Sequence, residues 1–169
     1  MNSKSIRKLT IAAMLVAVAV VGSLFSIPMF GSKCSPVQHM VNVLGAVFLG
    51  PGYAFGMAFV ASLLRNLLGL GTLLAFPGSM IGALLCGLLY KAWPRLPVAY
   101  VGEVFGTGIL GGMASYPVAA LLMNNASAAL FTFVPSFLLS TAVGAAISVL
   151  VLAALGRTQV LSQIKGALH

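Results

Sequence analysis

Residues 65–82, RNLLGLGTLLAFPGSMIG, place one arginine beside seventeen residues that carry no charge. A soluble helix needs a polar face, and this segment has none. The rest of the chain is similar, since 60% of its 169 residues are hydrophobic, 6% are charged and the mean hydropathy is +1.11. One bilayer crossing takes about 20 apolar residues. The sequence therefore predicts an all-α integral membrane protein, with residues 1–169 forming a single polytopic domain.

Clusters of glycine, proline and asparagine divide the apolar sequence into six predicted transmembrane helices. The predicted helices span about 6–30, 36–50, 52–68, 72–91, 97–123 and 127–155. The second and third are short for a full crossing and are separated by Gly50, Pro51 and Gly52. This turn predicts an antiparallel helical hairpin that crosses the bilayer incompletely.

The basic residues predict the orientation of these helices. Nine lysines and arginines face a single acid, Glu103, which gives a formal charge of +8. In a soluble protein this imbalance would suggest nucleic acid, but beside apolar spans it is a topology signal and no nucleic-acid partner is expected. We expect both termini in the cytoplasm, because this choice puts seven cations inside: Lys4, Arg7, Lys8, Lys91, Arg95, Arg157 and Lys165. Lys33 and Arg65 then fall outside, near predicted outer loops at 31–36, 68–73 and 124–126.

Polar side chains gather in these outer loops and in the outer halves of the adjoining helices. A polar group within a bilayer costs free energy unless it is paired or lines a cavity. The clustering therefore predicts an outward-facing substrate pocket. Its candidate residues are His39, Asn42, Arg65, Asn66, Thr72, Phe76, Ser79, Tyr116 and Asn124.

Several of these residues have a structural interpretation beside the functional one. His39 and Asn42 share a helix face and either contact the ligand or hydrogen-bond neighbouring helices. Arg65 closes the pocket, holds an outer loop through carbonyl oxygens, recognises an anion together with Lys33, or snorkels to the headgroups. Pro77 and Gly78 either kink the fourth helix or free backbone groups that line a cavity.

The sequence offers little reactive chemistry. It holds no phosphate-binding loop, and with Glu103 as the only acid it predicts no catalytic residue, metal site or cofactor. Glu103 is expected near the inner end of the fifth helix, far from the pocket, as a structural partner. A pocket without an acid suits a neutral ligand, and the lack of intramembrane carboxylates argues against ion-coupled transport. Cys34 and Cys86 are interpreted as packing residues without a disulfide.

Three segments resemble the ThiW-type substrate-binding (S) components of energy-coupling-factor (ECF) vitamin transporters. They are SKCSPVQHMVNVLGAVFLGPGYA at 32–54, LRNLLGLGTLLAFPGSMIGALLCGLLY at 64–90 and GEVFGTGILGGMASYPVA at 102–119. The resemblance covers about residues 5–155. It implies a six-helix S component of the prokaryotic plasma membrane that captures a thiamine precursor, hydroxyethylthiazole, from outside.

The resemblance also implies partners. The ligand would pass to a transmembrane coupling subunit driven by two cytoplasmic ATPases, and Ala13 and Ala17 match the AxxxA motif on helix one that docks the coupling subunit. The resemblance does not assign ligand contacts to individual residues. Pyrimidine, thiamine or a thiazole phosphate remain alternative ligands, and a stand-alone carrier remains an alternative function. A membrane-embedded enzyme would need reactive groups that this sequence does not supply.

Overall fold

The computed structural model describes residues 3–29, 32–158 and 166, and these residues form six helices and one two-stranded hairpin. The elements are α1 (Ser3–Gly22), β1 (Ile27–Met29), β2 (Ser32–Cys34), α2 (Pro36–Leu49), α3 (Pro51–Leu67), α4 (Ala75–Ala92), α5 (Leu96–Leu122) and α6 (Val134–Gly156). Of the described helices, four are long and apolar enough to cross a membrane: α1 with the turn that follows it, α4, α5 and α6. The expected α-helical membrane protein is confirmed at this level, with a small β-hairpin added.

The hairpin corrects the predicted first helix. Helix α1 ends at Gly22 and a single 3₁₀ turn, Ser23–Phe25, follows it, so the prediction of a helix to residue 30 was wrong. Pro28 prevents the helix from continuing to residue 30, because proline lacks an N–H and disfavours helical geometry in the residue before it. Strand β1 instead pairs antiparallel with β2, with Pro28 opposite Lys33. Three residues used in the predictions lie outside the described residues. They are Phe30 at the predicted end of the first helix, Gly31 in an outer loop and Lys165 among the cytoplasmic cations.

The predicted short hairpin of helices is confirmed by α2 and α3. They contain 14 and 17 residues, or about 21 and 25 Å of helix, which is less than the roughly 30 Å of a bilayer core. Gly50 joins them with a φ of 88°, a conformation that favours glycine. Since α2 is so short, its first turn lies deep within the bundle.

Helices α4 and α5 pack antiparallel at very close range. A Cβ added to Gly111 would lie 2.7 Å from the Cα of Gly78, and one added to Gly106 would lie 2.9 Å from the Cα of Gly82. Small residues permit this backbone approach between membrane helices. Helix α5 also contains a π-helical segment, Val104–Gly111, within the same interface. The two helices thus pack backbone against backbone along the segment that contains Glu103.

Helix α6 begins at Val134, seven residues after its predicted start. Residues 123–133 form turns instead, held by Asn125 Oδ1, which accepts from the Ser127 hydroxyl at 2.8 Å, and by Thr132 Oγ1, which accepts from Ala129 N at 2.8 Å. Pro135 then starts the helix, a position where its missing N–H costs nothing. Helix α4 likewise begins at Ala75, three residues later than predicted.

Candidate functional site

A polar cleft lies between strand β2 and helices α2, α3, α4, α5 and α6. About 30 Å³ of it is open to the centre of a water molecule, which is room for about two waters. Ten of its thirteen lining residues have polar side chains, and the lining comprises Ser32, Lys33, Ser35, Gln38, His39, Arg65, Thr72, Ala75, Gly78, Ser79, Thr107, Phe137 and Ser140. Four of the residues predicted from sequence, His39, Arg65, Thr72 and Ser79, therefore line one cavity.

The floor of the cleft rests on Glu103, whose side chain is fully buried. Its Oε1 accepts hydrogen bonds from Asn42 Nδ2 and Thr107 Oγ1, each at 3.0 Å, and lies 3.0 Å from His39 Nδ1. Because Oε1 already acts as an acceptor, His39 donates from Nδ1. The other carboxyl oxygen, Oε2, is buried without a hydrogen-bond partner.

The expectation that Glu103 lies far from the pocket was therefore wrong. The residue stands well inside α5, and the short α2 brings His39, only one turn from its start, down to the same level. Gly144 of α6 permits this placement, because a Cβ there would lie 2.7 Å from the Cβ of His39. The carboxylate consequently belongs to the floor of the cleft and not to the cytoplasmic loops.

One wall of the cleft is a network of amides and hydroxyls that joins α2, α3 and α4. Gln38 Nε2 donates to Ser62 Oγ at 3.3 Å, and Ser62 Oγ lies 3.1 Å from Ser79 Oγ. Asn66 Nδ2 donates to the carbonyls of Ser62 at 2.8 Å and Thr72 at 3.0 Å. Asn42 and Asn66 thus support the cleft from behind its lining, the first through Glu103 and the second through the α3–α4 loop.

Arg65 lines the cleft from the last turn of α3 and is 2% exposed. Its Nε has no hydrogen-bond partner, and within the described part of the chain its side chain forms no ion pair. Its backbone carbonyl accepts from Leu70 N at 2.8 Å and Gly71 N at 2.9 Å, which holds the start of the α3–α4 loop. A snorkelling side chain would be open to the headgroups, so this burial contradicts that interpretation.

Strand β2 forms the roof. Lys33 lines the cleft, and its Nζ donates to the carbonyl of Gly69 at 3.2 Å, which ties the β-hairpin to the α3–α4 loop. Ser35 N donates to Ser140 Oγ at 2.8 Å, whereas Ser35 Oγ is buried without a partner. The roof therefore presents one cation and one unpaired hydroxyl to the cleft.

Three further predicted site residues neither line the cleft nor support its lining. The Phe76 ring packs against Phe59, with centroids 5.8 Å apart. Tyr116 is 37% exposed, and Asn124 is exposed in a turn with a φ of 52°. The aromatic ring that does line the cleft is Phe137 of α6.

The sequence analysis did not identify Phe137, nor the polar face of α6 that lies next to it. Ser136, Ser140, Gly144 and Ser148 recur every four residues in an otherwise apolar helix, and all four are buried. This spacing is a readable signal of an inward polar stripe. Gln38, Ser62 and Thr107 carried no comparable pattern.

The described ranges contain no group of three or more His, Cys, Asp or Glu side chains that could hold a metal ion. Cys34 and Cys86 are buried free thiols, as their interpretation as packing residues predicted. The cleft therefore offers hydrogen bonds, two cations and one ring, which is the chemistry of a binding site.

The predicted coupling residues lie elsewhere. Ala13 and Ala17 are on the exposed face of α1. Beside Ala13, an apolar groove of about 680 Å³ runs between α1 and α3, where Gly52 and Gly56 line it. This face of the molecule is separate from the polar cleft.

Comparison with known proteins identifies a family for this chain. The model of the family described as thiamine-precursor transporter protein (ThiW) matches residues 9–158. No curated protein and no solved structure matches the chain. The match spans both the cleft and the α1 face. The chain therefore belongs to the ThiW family of thiamine-precursor transporters.

Proposed function

We propose that this chain is the substrate-capture subunit of an ECF importer in the prokaryotic plasma membrane, and that its cleft binds the thiazole precursor of thiamine, hydroxyethylthiazole. Membership of the ThiW family supports transport of a thiamine precursor. The observation that carries the finer proposal is the convergence of buried polar side chains and the Phe137 ring on one cleft. Small-molecule sites combine an apolar or aromatic surface with a few placed polar groups in this way.

The ligand chemistry fits the lining. A thiazole offers a flat ring, a ring nitrogen that accepts a hydrogen bond, and a hydroxyl that donates and accepts one. Phe137 supplies a ring face, and Ser79 and Thr107 supply hydroxyls. Intact thiamine carries a permanent positive charge, which Arg65 and Lys33 would repel.

The proposed topology has six spans, with both termini in the cytoplasm and the cleft outside. Lys91, Arg95 and Arg157 lie at helix ends remote from β2, which supports this orientation under the positive-inside rule. A substituted thiazole is larger than two waters, so capture requires the β-hairpin to move away from the cleft. Among the described residues, this movement breaks the hydrogen bond from Lys33 Nζ to the carbonyl of Gly69.

The proposed coupling surface is the face of α1 around Ala13 and Ala17. Both alanines are exposed, and small side chains let a partner helix approach closely. A transmembrane coupling subunit would dock there, with two ATPases bound to it in the cytoplasm. The separation of this face from the cleft supports a chain that binds ligand and partner at once.

Ligand binding is tested by thermal unfolding of the detergent-solubilised chain with hydroxyethylthiazole, the thiamine pyrimidine or thiamine. A ligand at 100 times its Kd stabilises by about 2.7 kcal/mol, and we expect hydroxyethylthiazole to give the largest shift. Phe137→Ala should weaken its binding, whereas Phe131→Ala, at a ring that is 61% exposed, should not. A shift with the pyrimidine or thiamine alone would refute the ligand assignment.

Glu103 favours a second candidate, a stand-alone proton-coupled carrier. A buried carboxylate beside the site is the feature that such carriers use to bind protons. This alternative predicts ligand uptake by proteoliposomes that contain the chain alone, and faster uptake when the outside is acidic. The ECF proposal predicts no uptake until the coupling subunit and ATPases are added.

A further inference from the structure

We infer that the Arg65 end of the cleft is a receptor for a phosphate monoester, so that the captured precursor carries a phosphate group. The inference rests on the proposed function and names the form of its substrate. It depends on four groups that meet at the cleft: Arg65, Lys33, Ser35 and the start of α2.

Arg65 is a buried cation that forms no ion pair with any described residue. It is 2% exposed, and its Nε has no hydrogen-bond acceptor. The chain has a single acidic side chain, Glu103, whose Oε1 is engaged by His39, Asn42 and Thr107. A buried charge needs a partner to offset its desolvation, and an anionic ligand in the cleft is the partner that this arrangement leaves open.

The other groups at this end also favour an anion. Lys33 is a second cation on the lining, and within the described residues its Nζ hydrogen-bonds to one acceptor, the backbone carbonyl of Gly69. Ser35 precedes the 14-residue helix α2, and its buried hydroxyl has no partner. Helix N-termini carry partial positive charge and bind phosphate. Arginine, lysine and a free hydroxyl together match the several oxygens of a phosphate group.

The test compares three compounds on the purified chain by calorimetry: hydroxyethylthiazole, its phosphate monoester and inorganic phosphate. We expect the ester to bind at least about tenfold more tightly than the alcohol, since a hydrogen bond to a charged group is worth about a decade or more of affinity. Equal Kd values for ester and alcohol on the unmodified chain would overturn the inference, and this comparison requires no variant.

Variants then locate the effect. Arg65→Gln should bring the ratio of the two Kd values close to one, Arg65→Lys should keep most of it, and Lys33→Gln should reduce it. Arg157→Gln removes an exposed cation at the far end of α6 and should leave the ratio unchanged. An Arg65→Gln protein that keeps the full preference would overturn the inference.

The outcomes separate this inference from the proposed function. Binding of the alcohol without preference for the ester supports the thiazole site and refutes the phosphate receptor. Binding of inorganic phosphate that is lost in Arg65→Gln, without binding of either thiazole, supports the receptor and refutes the ring assignment. If Arg65 instead binds a lipid headgroup, the headgroup competes with the ester. The Kd of the ester would then be at least about tenfold higher in phosphatidylglycerol nanodiscs than in phosphatidylcholine nanodiscs, and that result would also overturn the inference.

Discussion

Replacing Glu103 should destabilise the protein strongly, because three donors converge on one of its oxygens. In Glu103→Ala the His39 Nδ1–H loses its acceptor within the buried bundle. Asn42 keeps a second bond, to the carbonyl of Ser79 at 3.3 Å, so its loss is partial. Thr107 is free to turn its hydroxyl to the carbonyl of residue 103, four residues earlier in the same helix.

The magnitude follows from this count. One fully orphaned buried donor costs about 1–3 kcal/mol, and the two partial losses and the cavity left by the side chain raise the total to about 3–5 kcal/mol. For a chain of this length, that is a fall in Tm of about 6–20 °C. Glu103→Gln keeps a carbonyl oxygen at the Oε1 position and should cost about 1 kcal/mol.

The protein contains its own probe for this measurement. Cys34 and Cys86 are buried free thiols, so a thiol-reactive fluorophore reports unfolding of the detergent-solubilised chain on heating. We expect the unmodified chain to have the highest melting temperature, Glu103→Gln a lower one and Glu103→Ala the lowest. If Glu103→Ala melted with the unmodified chain, or above Glu103→Gln, the carboxylate would not organise the floor of the cleft.

Three further changes test other parts of the structure. Gly82→Ala places a Cβ against α5 and should destabilise by about 1–3 kcal/mol in the same melting assay, whereas Gly56→Ala meets open space and should be tolerated. Lys33→Gln removes the bond to the α3–α4 loop and should speed association of uncharged hydroxyethylthiazole in stopped-flow measurements, and an unchanged rate would exclude a gating role for the hairpin. Ala13→Trp combined with Ala17→Trp should abolish uptake by the assembled transporter but leave binding to the isolated chain intact, and retained uptake would exclude α1 as the coupling face.

The sequence predicted best where local chemistry decides structure. Gly50 and Pro51 specify the turn between α2 and α3, and the observed helices begin and end within two residues of the prediction. The polar clustering predicted from sequence includes His39 and Ser79, which both line the cleft. Both results depend on neighbouring residues, which a single sequence displays directly.

The position of Phe76 follows from the helical spacing of the small residues in α4. Ala75, Gly78, Ser79 and Gly82 are spaced at i, i+3, i+4 and i+7 and form the inward face of α4. Phe76 lies one residue after Ala75, about 100° around the helix, and therefore turns toward Phe59 of α3. Helical period alone would have removed this ring from the predicted pocket.

Glu103 could not be placed in this way. Its depth in α5 was readable from sequence, but its partners depend on how deeply α2 enters the bundle. That depth follows from the length of α2 and from the glycine at 144, where the helices touch. Contacts between distant segments are set by packing, which a single sequence does not display.

The relative strength of floor and roof indicates how a ligand enters. Opening the floor would break the bonds on Glu103 and separate the glycine-packed helices α4 and α5, at a cost of several kcal/mol. Lifting the hairpin breaks the exposed Lys33 bond to Gly69, which costs about 1 kcal/mol, and the Ser35 bond to Ser140 can persist as a hinge at the start of α2. We therefore infer that the hairpin side is the entrance, and that the first group to meet an incoming ligand is the cation on β2.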